Sequence, residues 1–291
     1  MKETIRKTSW LVLAVLFSLS PAWAGQSQGS GQQQQPPPPQ QTQPKPAQPS
    51  AFSLDDSNAP PPVSSKAEDD AYKALMDAKA NDVPHRIQLG EEFATKYPQS
   101  RYLESVLSAM TLNYFLAGNT QKMINTGDKA LGLYPDDVLV LALMSQTLSR
   151  AWKPDAPDAQ AQLDRAEKYG KRTIELTPKL QKPAGASDQD FASANNQRLS
   201  LAHSGLGVVN FRRNKFAESI QDLEEAVKIV PNPDPVNYYM MGLAQLNSQH
   251  FSDAVTSFTK CSETPWQLQA NCKARVEDAK KRAATELSAP K

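Results

Sequence analysis

From Ser65 to about Leu287 the apolar residues recur three or four apart, the spacing of one face of a helix, and no run shows the strict alternation of a half-buried strand. The residues between these runs carry helix-capping chemistry. Ser65 with Glu68 makes a capping box, Ser187 with Asp190 opens a long helix, and Asp234 followed by Pro235 is an N-cap with proline at the first helical position. Thr264-Pro265-Trp266-Gln267 combines both devices and predicts a final amphipathic helix over 266–287. The pattern predicts an all-α body.

The helical runs repeat. Leu206-Gly207, Phe216, Ala217, Glu218, Ser219, Leu223, Ala226 and Pro231 recur as Met241-Gly242, Phe251, Ser252, Asp253, Ala254, Phe258, Cys261 and Pro265, offset by 35 residues except for the last proline, which drifts by one. An earlier unit supplies Leu107, Met110-Thr111, Tyr114, Gly118, Ala130 and Pro135 at matching spacing. A period near 34 means helix pairs that bury their faces only by stacking on their neighbours. In such a pair a small residue, Gly207 or Gly242, lets the two helices approach, while Phe216, Leu223, Phe251 and Phe258 fill the space between them and Ala226 and Ala254 keep the contact close. Pro135 and Pro231 end the second helix of their units.

These segments resemble the tetratricopeptide repeat (TPR), and the resemblance spans most of 67–288. It implies an all-α, right-handed superhelical solenoid of antiparallel helix pairs. Hairpins 1–3 are expected over 65–178, a short linker with Pro183 and Gly185 over 179–186, hairpins 4–5 over 187–265, and a capping helix and tail over 266–291. The first unit, 67–98, is degenerate but keeps Tyr72, Phe93, Tyr97 and Pro98; the third is stretched by Lys153–Asp158. Whether the stack is continuous across 179–186 or forms two subdomains is left open by the sequence.

Ahead of this body the pattern changes. Lys2, Arg6 and Lys7, the apolar run Trp10–Leu19 and Ala22-Trp23-Ala24 form the three parts of a secretory signal peptide over 1–24. Ten apolar residues rise only about 15 Å as a helix, half of a hydrocarbon core, so cleavage is expected in preference to anchoring. With no cysteine at that junction, no lipid anchor is expected there. Residues 25–64 are Gln, Pro, Ser and Gly in long runs and hold ten of the 23 prolines. Such a segment buries too little to offset its ordering entropy and favours extended polyproline II. It reads as a disordered tether, with a spacer across an envelope layer or a docking strand for a proline-binding groove as alternatives.

Charge and chemistry narrow the function. Lys plus Arg total 32 against 31 Asp plus Glu, a balance that offers no basic field for nucleic acid. No stretch of the mature chain approaches the ~18 apolar residues of a membrane span. The three histidines, His85, His203 and His250, are far apart and form no metal-ligand spacing; His203 occupies a large apolar repeat position and reads as a packed or partly buried core histidine. His203-Ser204-Gly205-Leu206-Gly207 lacks the order of a nucleophile elbow, and no phosphate-binding glycine loop occurs, so no enzyme activity, cofactor or metal is expected. Cys261 and Cys272, an even count in an exported chain, are a disulfide candidate that would contribute roughly 3 kcal/mol by the chain-entropy model; two independent buried thiols are the alternative.

In TPR proteins ligands usually bind the concave face lined by the first helix of each hairpin. The resemblance places Leu112, Phe115, Ser204, Val208, Phe211, Arg212, Tyr239, Leu243 and Leu246 there, a mainly apolar groove. The Lys and Asn of carboxylate-clamp TPRs are replaced by Ser108, Leu112, Ser204, Val208, Tyr239 and Leu243, so an extended or helical apolar peptide is the expected ligand. Phe93-x-x-x-Tyr97-Pro98-x-Ser100 is similar to segments of envelope TPR proteins. The expectation is a non-enzymatic, exported, periplasmic or secreted scaffold with a protein partner in the bacterial envelope; a glycan- or peptidoglycan-associated module is the alternative.

Overall fold

The computed structural model describes residues 65–288. The expected signal peptide (1–24), the Gln/Pro-rich segment (25–64) and the last three residues lie outside the described residues. Among the described residues there is no strand. Five helix pairs follow one another: α1 (Lys66–Asp77) with α2 (Val83–Lys96), α3 (Leu103–Leu116) with α4 (Thr120–Leu133), α5 (Val138–Ala151) with α6 (Ala159–Leu176), α7 (Asp188–Arg212) with α8 (Phe216–Lys228), and α9 (Pro235–Asn247) with α10 (Phe251–Glu263). A final helix, α11 (Gln269–Ser288), packs on α10. This is the TPR-like stack of helical hairpins that the repeat predicts.

The helices begin where the capping residues place them. Ser65 Oγ accepts from the Glu68 N–H at 3.2 Å, Ser187 Oγ from Asp190 at 3.0 Å, and Asp234 Oδ1 from Val236 at 2.9 Å, with Pro235 opening α9. Within hairpins 2, 4 and 5 the turn between the two helices is the same. Gly118, Asn214 and Gln249 take positive φ of 68°, 58° and 62°, and the next N–H reaches back to the first helix at 2.8–2.9 Å, as from His250 to the Gln245 carbonyl.

The glycines that opened the repeat do what the pattern requires. A Cβ on Gly207 would lie 2.5 Å from Leu223 Cγ, and one on Gly242 would lie 2.7 Å from Phe258 Cε1, so each glycine is the socket for the large side chain of its own second helix. Leu223, Phe258, Ala226 and Ala254 are fully buried, whereas Phe216 and Phe251 are half-buried at the starts of their helices. In the degenerate first unit Phe93 is buried, Tyr72 packs edge-on against it, and Tyr72 also stacks on Tyr102 of the next hairpin at 4.1 Å between centroids.

Residues 179–186 do not divide the stack. Helix α7 packs on both α5 and α6; Gly205 sits against the Ser145–Gln146 backbone, and Leu206 fills the space above Gly170. Arg213, just past α7, donates to Glu167 and Asp164 of α6 at 2.5 and 2.6 Å. The bond from Arg213, with one from Lys171, holds the Glu167 carboxyl down at about 2. The first three hairpins and the last two thus form one continuous stack.

The C-terminal end needs one correction. Helix α11 starts at Gln269, not at Trp266. Thr264 is extended, as a residue before proline must be, and Trp266 serves the preceding helix: its Nε1 donates to the Cys261 carbonyl at 2.9 Å, while Gln269 Nε2 donates to the Ser262 carbonyl. These side chains satisfy carbonyls left open at the end of α10, and the chain becomes helical again at Gln269. Cys261 of α10 and Cys272 of α11 are bonded to one another, with 5.8 Å between Cα atoms, and both are fully buried.

Candidate functional site

The first helices of the hairpins lie side by side, α3 against α5, α5 against α7 and α7 against α9. The nine groove residues expected on this face do not form one surface. Helix α5, in the middle, is buried from Val138 to Ser149 except at Leu139, because α3, α4, α6 and α7 all pack on it. Leu112 and Phe115, on α3, are half-buried against the core on one side of it. Phe211 and Leu243 are half-buried on the other side, both against the cluster of Val208, Leu223, Met240 and Met241.

Four of the nine are turned inward. Val208 and Leu246 are buried in the apolar clusters of hairpins 4 and 5. Tyr239 packs edge-on against Phe258 and Trp266, with centroids 5.9 and 6.4 Å away, so its ring helps join α9 to the segment leading into α11. Ser204 is fully buried inside a polar network that the sequence reading missed.

That network runs across three first helices. Gln146 Nε2 donates to Ser204 Oγ at 3.1 Å, Ser204 Oγ donates to Asn237 Oδ1 at 2.6 Å, and Arg150 donates to Ser204 Oγ at 2.8 Å, Asn237 Oδ1 at 3.2 Å and Asp234 Oδ2 at 2.7 Å. Burial pushes the Asp234 carboxyl up, but the Arg150 charge and hydrogen bonds outweigh it and leave the group below the ordinary aspartate range. Asp234 therefore caps α9 and neutralises Arg150 at once. The face read as apolar is polar at its centre, and these partners offset the desolvation of the partly buried Arg150 guanidinium.

Arg212 differs from Arg150. It lies in the last turn of α7, where the helix carbonyls favour a cation, and its guanidinium rests over the Trp152 ring at 5.2 Å from the centroid. Its Nε is buried and has no hydrogen-bond partner, and burial pushes its pKa down. Trp152 is itself fixed by a bond from Nε1 to the Ala159 carbonyl at 3.0 Å. The stretched loop of the third hairpin thus supplies the platform for a side chain of the fourth.

His203 is partly buried and hydrogen-bonded: its Nδ1 is 2.9 Å from Asp222 Oδ1, and Asn210 donates to the other Asp222 oxygen at 2.9 Å. Among the described residues no group of three or more His, Cys, Asp or Glu is placed to hold a metal ion. No helix of the described residues is long and apolar enough to cross a membrane.

No family model matches the chain, and no curated protein sequence matches it. Its fold is similar to that of several solved structures. A thermophilic TPR protein of Thermus thermophilus shares 15% identity at a TM-score of 0.47, over 73% of this chain and 98% of that one. MamA from Desulfovibrio magneticus RS-1 shares 16% at 0.42, over 68% and 93%. A tetratricopeptide repeat protein from Parabacteroides merdae shares 13% at 0.36, over 75% and 91%.

Proposed function

We propose that this chain is a non-enzymatic, exported scaffold that binds a protein partner in the bacterial envelope through the first-helix face at α7 and α9. The observation that carries the reading is the contrast along that face. Helix α5 is closed over by its neighbours, while Phe211, Arg212 and Leu243 stay half-buried on adjacent helices, so surface is left for a partner only to either side of α5. What supports export is the three-part pattern of 1–24 and the pairing of Cys261 with Cys272, a bond suited to an oxidising compartment.

A photo-crosslinking residue in place of Phe211 tests the face in the native host, with the same residue in place of Leu133, an exposed leucine on the second helix of hairpin 2, as the reference. A discrete partner captured from position 211 and not from 133 is the expected result. Equal capture from both, or none from 211, sinks the reading. The mass of the mature chain decides export: an N-terminus at Gly25 is expected, and retention of residues 1–24 overturns it.

A further inference from the structure

Arg150 and Arg212 occupy equivalent places in successive repeats. Each stands six residues after a large side chain, Met144 or Leu206, that fills the socket over a glycine of the preceding hairpin, Gly127 or Gly170. Each has a buried Nε with no acceptor. Arg150 is completed from within the chain by the Asp234 carboxylate, which caps the first helix two hairpins on. The residues leading into α11, Thr264 to Leu268, offer Arg212 no carboxylate, and the guanidinium is left on Trp152 with no hydrogen bond or ion pair among the described residues. A half-desolvated cation without a counter-charge is unfavourable, and a guanidinium held over an aromatic ring keeps its terminal N–H donors available to an anion.

We propose that Arg212, seated on Trp152, is the receptor for a side-chain carboxylate, the aspartate or glutamate of an acidic segment of the partner protein. The proposal rests on the reading of this face as a protein-binding surface and names the chemistry of the partner. Asp234 on Arg150 is the internal version of the same contact. Phe211 and Leu243, on the same and the adjacent first helix, offer apolar surface for the residues flanking the acid.

The test observes the arginine side-chain Nε–H signals of the full chain labelled with nitrogen-15, those of Arg212 and Arg150 being assigned by their disappearance in Arg212→Lys and Arg150→Lys. Titration with N-acetyl-glutamate amide is expected to shift the Arg212 signal saturably and to leave Arg150 in place, because Asp234 already occupies it. N-acetyl-glutamine amide, which has the same shape without the charge, is expected to do nothing. No shift at Arg212, equal shifts at all arginines, or equal response to the glutamine compound overturns the proposal. A stronger saturable response to inorganic phosphate than to the carboxylate overturns it in favour of a phosphate ligand. The comparison of ligands uses the unaltered protein, so no folding defect enters it. If the carboxylate has no effect while a partner is still captured from position 211, only the receptor assignment fails; if position 211 captures nothing, the reading of the face fails.

Discussion

The first three hairpins and the last two solve the same packing problem with the glycine on opposite helices. In hairpins 1–3 it lies on the second helix: Gly90, Gly127 and Gly170 face Met110, Met144 and Leu206, side chains that come from the next hairpin. In hairpins 4 and 5 it lies on the first helix, and Gly207 and Gly242 take Leu223 and Phe258 from their own hairpin. Helix α7 is where the scheme reverses, since it plugs the socket behind it with Leu206 and offers Gly207 as a socket to α8. A glycine meets a large side chain at each of these contacts, while the helix that supplies each partner changes. The N-terminal part is thereby keyed between hairpins and the C-terminal part within them, where the Cys261–Cys272 bond and the Trp266 cap fasten the last joint.

The largest effect should come from emptying a socket. Phe258 is fully buried, touches Gly242 and supports Tyr239, so Phe258→Ala should cost about 3–5 kcal/mol, read from denaturant unfolding. A loss below about 1 kcal/mol would mean that hairpin 5 is not held by this plug, and the contrast would break at its C-terminal end.

Filling the socket should cost less. A Cβ on Gly242 would sit 2.7–2.9 Å from three atoms of the rigid, fully buried Phe258 ring. Overpacking of about 1–3 kcal/mol exceeds the gain of about 1 kcal/mol that alanine brings to a helix interior, so Gly242→Ala should be destabilising. Combining it with Phe258→Leu should give less than the sum of the two losses, and simple additivity would show that the pair does not interact. On the N-terminal side the same change should be nearly silent. The Cβ of Gly127→Ala meets the thioether of Met144, Sδ at 2.5 Å and Cγ at 3.0 Å, and methionine can re-rotate where a phenyl ring cannot. A net change within about 1 kcal/mol is expected once the helix gain is counted.

How much of this was legible in the sequence follows from where each partner lies. Gly207 and Gly242 could be paired with Leu223 and Phe258 because both members recur together every 35 residues. Gly90, Gly127 and Gly170 were missed as a series because their plugs belong to a different unit and the glycine has moved to the other helix. The caps at Ser65, Ser187 and Asp234 were readable since capping is local. The Thr264-Pro265 signal misled because a residue held extended before proline ends one helix as well as it begins the next. The candidate site suffered most: Ser204, Val208, Tyr239 and Leu246 were placed by repeat position, but whether such a position is open depends on the neighbouring helices. Arg150 finds Asp234 across 84 residues, a pairing that no local pattern announces.

The turns carry the smallest and most diagnostic version of the contrast. Hairpin 2 has glycine at its left-handed turn position, Gly118, whereas hairpins 4 and 5 have Asn214 and Gln249 at the equivalent place. Asparagine tolerates this backbone region better than glutamine, so Gln249 is the residue under most strain. Relief of about 1–2 kcal/mol is opposed by the roughly 0.5–1 kcal/mol that a glycine adds to the entropy of the unfolded chain. Gln249→Gly should therefore stabilise by about 0.5–1 kcal/mol, and Gly118→Ala should destabilise by a similar amount, both measured as shifts in the denaturant midpoint. If Gln249→Gly instead lowers stability, the Gln249 side chain contributes a contact that outweighs its backbone strain, and the turns of the two parts are not interchangeable as the shared hydrogen bonds imply.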